Sequence, residues 1–428
     1  MEYVTDPAAA MASLAAADRF GEYVVYEQPG EWVFAADPLG TVELDAGELR
    51  VRWGEETTAR AWTGSPAQVV DAALAELPLD GRTAYGWIGF EFCAYALAAT
   101  RYLNQRTPLA DLMIPRIEVR IDASGVRISG ATPNETCDIH DLIAASQGAE
   151  LPVATPVDVR SDPTGYQDRV ATAVAEIRSG GYQKVILSRK VELPFAVDVP
   201  ATYRLGRAAN TPARSFLLRL GGLEAAGFSP ELVVSVDEDR VVTTEPLAGT
   251  RAFGLGVEAD NAARAELLAD PKEIVEHAIS VQTSFAEITA VATPGTPAVS
   301  DFMAVRERGS VQHLASTVRG TLAPGRTSWD ALEVLFPSVT ASGIPKQAGV
   351  DSVFRNDHDP RGLYSGAVVR ISPSGALEAT LVLRAVYQTG EGAWLRAGAG
   401  VVGQSRPERE FEETCEKLGS VAPYVVRA

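Results

Sequence analysis

Two acidic segments about 140 positions apart, "DPKEIVEHAIS" at 270–280 and "SRPEREFEETCEKLGS" at 405–420, constrain this chain's fold more than any other feature. Each reads as a helix. Asp270 followed by Pro271 and Glu273 has the form of a capping box with proline in the first turn, and Ser405 followed by Glu408 has the same form. In the first helix Ile274, Ala278, Val281, Phe285 and Ile288 make an apolar stripe; in the second Phe411, Cys415 and Leu418 do so. Residues three apart are neighbours on a helix. Both segments thus carry Glu-[Ile/Phe]-x-Glu, with Glu273 and Glu276 paired on one helix and Glu410 and Glu413 on the other. A fold that faces these pairs across one cleft must put a cation between them. Oxygen ligands from a few carboxylates, completed by water, suit Mg²⁺. The same pattern is met without a metal if Glu273 caps, Glu413 pairs with Lys417 at i,i+4, and the remaining acids are solvated. Glu412 and Glu416, on the other side of their helix, are expected to be solvated only.

Net charge −18 over 428 residues argues against a phosphate-backbone partner, which needs a basic face, so no nucleic acid is expected. An anionic small molecule is still admissible, because a local basic pocket or a metal reverses the field. The 46% apolar fraction supplies a large core, and no window approaches a membrane span of ~20 apolar residues. The N-terminal run is mostly alanine and flanked by acids, unlike a secretory leader, which predicts a cytoplasmic protein. Cys93, Cys137 and Cys415 are far apart and form no C-x-x-C. The chain holds 33 arginines and only five lysines, at 184, 190, 272, 346 and 417. A bias of that kind makes each lysine informative, because only lysine can serve where an amine must lose its proton.

Residues 23–130 read as short, mostly antiparallel strands broken by turns, with a helix at 65–77. The proline-rich "LPVATPVDVRSDPTGY" at 151–166 is the best boundary available. A helix carrying Val170, Val174 and Ile177 follows, stopped by Gly180–Gly181, and a strand comes next. Strands and helices then mix without regular alternation, which reads as a large α/β or α+β domain and argues against a doubly wound sheet. "GAGVVG" at 398–403 matches a dinucleotide fingerprint, but the chain lacks room for the second strand and acid that such a fold needs. Gly398 and Gly400 are instead expected to allow close approach to a ligand. Arg384, mid-strand in "TLVLRAVY", should need a carboxylate from the protein or a ligand. Lys184 opens "KVILS", an apolar setting.

Taken together, "YQKVILSRKVEL", "GFSPELV", "TTEPLAGTR", "PKEIVEHAI", "SVQHLASTVRG", "FPSVTASGIPK", "RGLYSGAVV", "LVLRAVY", "WLRAGAGVV" and "PEREFEETCEK" resemble the chorismate-utilising enzymes, in order, from about residue 160 onward. "YGWIGFEF" is similar to the salicylate-forming branch of mycobacterial siderophore pathways. The resemblance implies one large α+β fold of extensive, mostly antiparallel sheets flanked by helices. Residues 1–155 would form a strand-rich portion of that fold and 156–428 its chorismate-binding catalytic region. It further implies a monomer that binds Mg²⁺ and turns chorismate through isochorismate into salicylate and pyruvate. On matching positions it makes Glu276 and Glu413 the main metal ligands with Glu273 and Glu410 beside them, Lys184 the general base and Glu231 the general acid. Tyr364 and Arg384 would hold the enolpyruvyl carboxylate, and Lys417 and Gly398 the ring carboxylate. Gly249, Thr250, His313, Thr340 and Gly400 would line the pocket.

Such chemistry requires Lys184 to fall from ~10.4 through burial or cationic neighbours, and Glu231 to rise. An isochorismate synthase that stops before pyruvate loss is the nearest alternative. An anthranilate synthase fits less well, since lysine at 184 suits water as nucleophile. A noncatalytic acidic binding module is the alternative from another class.

Overall fold

The computed structural model describes residues 4–17, 19–308 and 311–428. The alternation read from residue 23 forms the strand Tyr23–Gln28 and the long strand Glu31–Asp45, joined through Gly30, whose φ of 81° lets the chain reverse. Glu31–Asp45 also pairs along its length with Pro108–Asp122. From these two strands the sheet extends as two arms, with every pairing antiparallel. One arm runs through Tyr23–Gln28, Arg214–Leu220, Leu223–Ser229, Ala385–Thr389 and Gly392–Val401 to Lys184–Leu193. The other runs through Ala84–Ile88, Ala367–Ile371, Leu377–Leu381, Leu232–Val236 and Val241–Thr244 to Val311–Thr321. Leu247–Ala252 and Ala298–Arg308 pair with that last strand.

The arms face each other across one apolar layer, to which Tyr26, Phe216 and Tyr387 come from the first and Tyr85, Trp87 and Val368 from the second. Helices Pro7–Ala16 and Val199–Ala209 pack with the first arm, and Pro66–Ala75 and Ser328–Leu335 with the second. The fold is therefore α+β, with antiparallel sheets flanked by helices. Tyr23–Gln28 and Ala84–Ile88 pair with strands that lie beyond residue 166, so the segments on either side of 151–165 share the same sheets. Residues 151–165 form neither helix nor strand. No helix among the described residues is long and apolar enough to cross a membrane.

The chain crosses from the first arm to the second at Pro230–Glu231 and returns at Val382–Arg384. These crossings lie side by side. The Leu381 N–H donates to the Glu231 carbonyl at 3.2 Å, and the Phe228 N–H to the Arg384 carbonyl at 3.1 Å. Arg384 is not mid-strand, as the sequence suggested, but sits where one strand ends and the next begins, at a left-handed φ of 52°.

The helix expected at 65–77 is Pro66–Ala75, capped by the Ser65 hydroxyl. The first acidic helix is Pro271–Val291, and Asp270 caps it by accepting from the Lys272 and Glu273 N–H groups. Its buried face is His277, Ser280, Val281, Ser284, Ile288 and Val291. Phe285 is exposed and Ile274 and Ala278 are half-buried, so the expected stripe is rotated from the real one. Polar residues take inner positions where partners are at hand: Ser280 donates to the Glu276 carbonyl at 3.0 Å, and His277 Nε2 meets Ser316 Oγ of a neighbouring strand at 2.7 Å. The second acidic helix is Pro407–Leu418, with Arg406 at its N-cap position. Ser405 does not form the expected capping box; its hydroxyl accepts from the Val402 N–H at 3.0 Å.

Phe216 is fully buried between the arms. Phe216→Ala removes a ring that both sheets enclose, so urea unfolding should show a loss of about 3–5 kcal/mol with little change in far-ultraviolet circular dichroism.

Candidate active site

Lys184 is the first residue of the strand Lys184–Leu193, which pairs with Gly392–Val401 in a register that sets Gly398 opposite Ser188 and Gly400 opposite Ile186. Arg396, Gly398 and Gly400 alternate along that second strand and so share one face, which lines a cavity of about 730 Å³. Every candidate residue named from the sequence lines the same cavity. The two glycines admit the site's own side chains. A Cβ at Gly398 would stand 2.9 Å from Tyr364 Oη, and one at Gly400 would stand 3.3 Å from Lys184 Cε.

The two acidic helices bring their glutamates to this cavity. Lys184 Nζ lies 2.6 Å from Glu276 Oε1 and is 4% exposed. Burial pushes the Glu276 carboxyl up, but the Lys184 ammonium outweighs it and holds that carboxyl below its usual range. Lys417 plays the same part for Glu413 at 2.8 Å, the i,i+4 pair anticipated from sequence, and also donates to the Gly398 carbonyl at 2.9 Å. Glu273 and Glu410 are raised, first by burial and further by Glu276 and Glu413 respectively. Lys184 is thus buried, as one of the two expected routes required, but its neighbour is an anion and not a cation. Glu412 and Glu416 are not merely solvated: Glu412 pairs with Arg160 and Glu416 with Arg409, and Glu416 reaches the cavity rim.

A second group comes from the crossings between arms. Glu231 is 1% exposed and accepts hydrogen bonds from Ser338 Oγ at 2.9 Å and from Thr340 Oγ1. Burial pushes its carboxyl up to about 7 against the pull of those hydroxyls. Arg384 Nη2 donates to His313 Nε2 at 2.9 Å, which leaves Nδ1 to carry the imidazole proton and donate to the Gly249 carbonyl at 3.1 Å. Thr250 Oγ1 also lies 3.1 Å from Nδ1. Burial and the adjacent guanidinium push His313 down to about 3, so it is neutral. Burial lowers Arg384 itself to about 10. Arg384 forms no ion pair among the described residues.

Tyr364 is buried with the Arg361 and Arg396 guanidiniums 5.7 and 5.5 Å from its ring centroid, and both arginines donate to Asp357. Ser338, Arg396 and Lys272 are cavity residues or partners that the sequence reading did not single out. Arg396 was legible, because it alternates with Gly398 and Gly400. Lys272 was legible as one of the few lysines; its charge pulls downward on Glu273, Glu276, Glu410 and Glu413. Ser338 carried no signal of its own.

Among the described residues no three carboxylates, imidazoles or thiolates stand close enough together to grip an ion as they lie. The donor chemistry nevertheless fits a hard cation: four carboxylates on two helices share one cavity, and two of them are raised in part by like charge. Mg²⁺ asks for only a few such oxygens and keeps several waters.

The fold and this cavity define a chorismate-binding enzyme: that family matches residues 21–423, and the chain belongs to it. The salicylate synthase of Mycolicibacterium paratuberculosis is 51% identical over 424 residues, covering 98% of this chain and 94% of that protein. The anthranilate synthase component 1 of Halobacterium salinarum is 36% identical over 313 residues, covering 69% of this chain and 59% of the relative. Among solved structures, anthranilate synthase component I of Streptococcus pneumoniae superposes with a TM-score of 0.75 at 23% identity, over 93% of this chain and 92% of that one. The menaquinone-specific isochorismate synthase of Escherichia coli gives 0.75 at 20% identity, over 99% and 92%. These last two establish the shared fold.

Glu231 also sets a stability signature. Its folded value of about 7 lies above the ordinary 4.5, so the stability associated with its protonated form is complete below about 4.5 and is lost as pH rises through 7. Denaturant titrations at a series of pH values should show the native protein losing stability relative to Glu231→Gln across that window.

Proposed function

We propose that this enzyme is a Mg²⁺-dependent salicylate synthase that converts chorismate through isochorismate to salicylate and pyruvate, for siderophore assembly. The observation that carries the reading is Arg384. It is a buried guanidinium whose side-chain partner is a neutral imidazole, in a cavity that also holds the paired carboxylates of Glu273, Glu276, Glu410 and Glu413. Such a cavity takes a carboxylate at the guanidinium and a cation at the acids. The salicylate synthase that is 51% identical over nearly the whole chain supports the choice of product.

Lys184 Nζ takes a proton from the water that adds to one ring carbon, and Glu231 gives a proton to the hydroxyl that leaves from another. At about 7 the Glu231 carboxyl keeps a protonated fraction at neutral pH, and Ser338 and Thr340 orient it. Arg384 and Tyr364 hold the enolpyruvyl carboxylate, while Lys417 and Gly398 hold the ring carboxylate. Thr250, Gly249, His313, Thr340 and Gly400 shape the pocket around them. Glu276 and Glu413 would hold Mg²⁺, with Glu273 and Glu410 beside them. When bound, the ion supplies positive charge against the ring carboxylate and engages acids that otherwise pair with Lys184 and Lys417. Pyruvate leaves by hydrogen transfer within the substrate, for which the Arg384–Tyr364 clamp restricts the side chain to one conformer.

Chorismate with Mg²⁺ should yield salicylate, followed by its fluorescence, and EDTA should abolish the signal. Isochorismate accumulating alone would instead identify an isochorismate synthase, and no turnover with metal present would favour a binding module. Lys184→Ala should slow hydration of chorismate by about 10²–10⁴-fold yet spare pyruvate loss from supplied isochorismate. Equal failure of both halves in a folded variant would remove Lys184 from the role of base. The kcat/KM for chorismate should decline as pH rises through about 7, and Glu231→Gln should lose that dependence together with most activity.

A further inference from the structure

The helix Pro407–Leu418 presents Glu410, Glu413 and Lys417 to the cavity, so its rotation about its own axis decides where three site groups lie. One buried side chain reaches this helix from the strand of Lys184. Arg189 is 1% exposed and belongs to the strand that begins with Lys184. Its Nε donates to Thr414 Oγ1 at 2.7 Å, its Nη1 to the Ser161 carbonyl at 3.0 Å, and its Nη2 to the Val159 carbonyl at 2.6 Å and Cys415 Sγ at 3.2 Å. The guanidinium also stacks on Phe411, 4.6 Å from the ring centroid. Thr414 Oγ1 spends its own proton on the Phe411 carbonyl at 2.7 Å, so towards Arg189 it can only accept. The contact is therefore directional. Thr414 is fully buried and follows Glu413 directly, so holding its hydroxyl over Arg189 turns Glu410 and Glu413 to the cavity.

We infer that Arg189 and Thr414 are positioning residues that set the metal-binding geometry of Glu410 and Glu413, linking the strand of Lys184 to the acid-bearing helix. The inference rests on the metal reading above. Groups that hydrogen-bond around metal-binding carboxylates shape affinity without touching the ion. Lysine could not replace Arg189, because a single ammonium cannot span acceptors on the helix and on residues 159–161 with fixed geometry.

The test titrates Mn²⁺, a paramagnetic stand-in for Mg²⁺, into each metal-free protein and follows free ion by electron paramagnetic resonance, with thermal unfolding measured alongside. Thr414→Val keeps the shape and removes the acceptor; it should weaken Mn²⁺ binding by about tenfold, within the usual range for such partners, as should Arg189→Lys. Thr414→Ser should bind as the native protein does. Arg160→Ala breaks the surface pair with Glu412 and leaves Thr414 untouched, so it should also keep native affinity. Native affinity in a folded Thr414→Val would overturn the inference while leaving the metal reading intact. An equal loss in Arg160→Ala would overturn it too, by showing general loosening of the helix. Absence of Mn²⁺ uptake by the native protein would overturn the metal reading and this inference with it.

Discussion

A guanidinium enclosed by protein keeps its charge only where acceptors or a counter-ion offset its lost hydration, and at Arg384 the fold supplies a neutral imidazole. His313 accepts through Nε2 and donates its Nδ1–H to the Gly249 carbonyl, so the hydrogen-bond chain ends on backbone rather than on an acid. Positive charge is left in excess at the crossings between the sheet arms. Negative charge is left in excess at the helices, where Lys184 and Lys417 pair with two of four glutamates. A cavity divided in this way offers positive charge at the crossings and negative charge at the helices.

Sheet topology explains why these charges stay in place. Glu231 and Arg384 occupy the two short crossings between arms, and each crossing is bracketed by strands on both sides. The crossings are hydrogen-bonded to each other's strands, so neither side chain can shift without the sheets shifting. Lys184 and the glycines at 398 and 400 come from adjacent strands of one arm, whose alternation points them into the same space. Glu273, Glu276 and Lys272 are carried on one helix and Glu410, Glu413 and Lys417 on another, and Arg189 joins the second of these to the segment 159–161.

Much of this was legible in the sequence, and the failures share a cause. The Asp270 cap, the paired glutamates and the antiparallel N-terminal strands follow from local rules that the fold does not override, whereas 151–165 interrupts the elements without dividing the sheets. The stripe on Pro271–Val291 differs because hydrophobic periodicity cannot see buried His277 and Ser280, which find hydrogen bonds inside, or buried Ser284. Arg384 looked mid-strand because its neighbours are apolar on both sides; the left-handed turn there is imposed by the crossing, not by a glycine. Ser405 looked like a cap, but its hydroxyl serves the preceding turn. Ser338 shows its use only once Glu231 is folded against it.

The choice of lysine at the acids is itself informative. The chain uses arginine 33 times and lysine five, yet Lys184, Lys272 and Lys417 all line this cavity. Arginine would grip a carboxylate with two parallel hydrogen bonds, as Arg214 does with Glu378 beyond the cavity. Lysine meets Glu276 and Glu413 each at one oxygen, leaving the other oxygen and its lone pairs available to a second partner. Glu276 and Glu413 are thus each held by a lysine at one oxygen, whereas Glu378 and, at the cavity rim, Glu416 are gripped by an arginine at both.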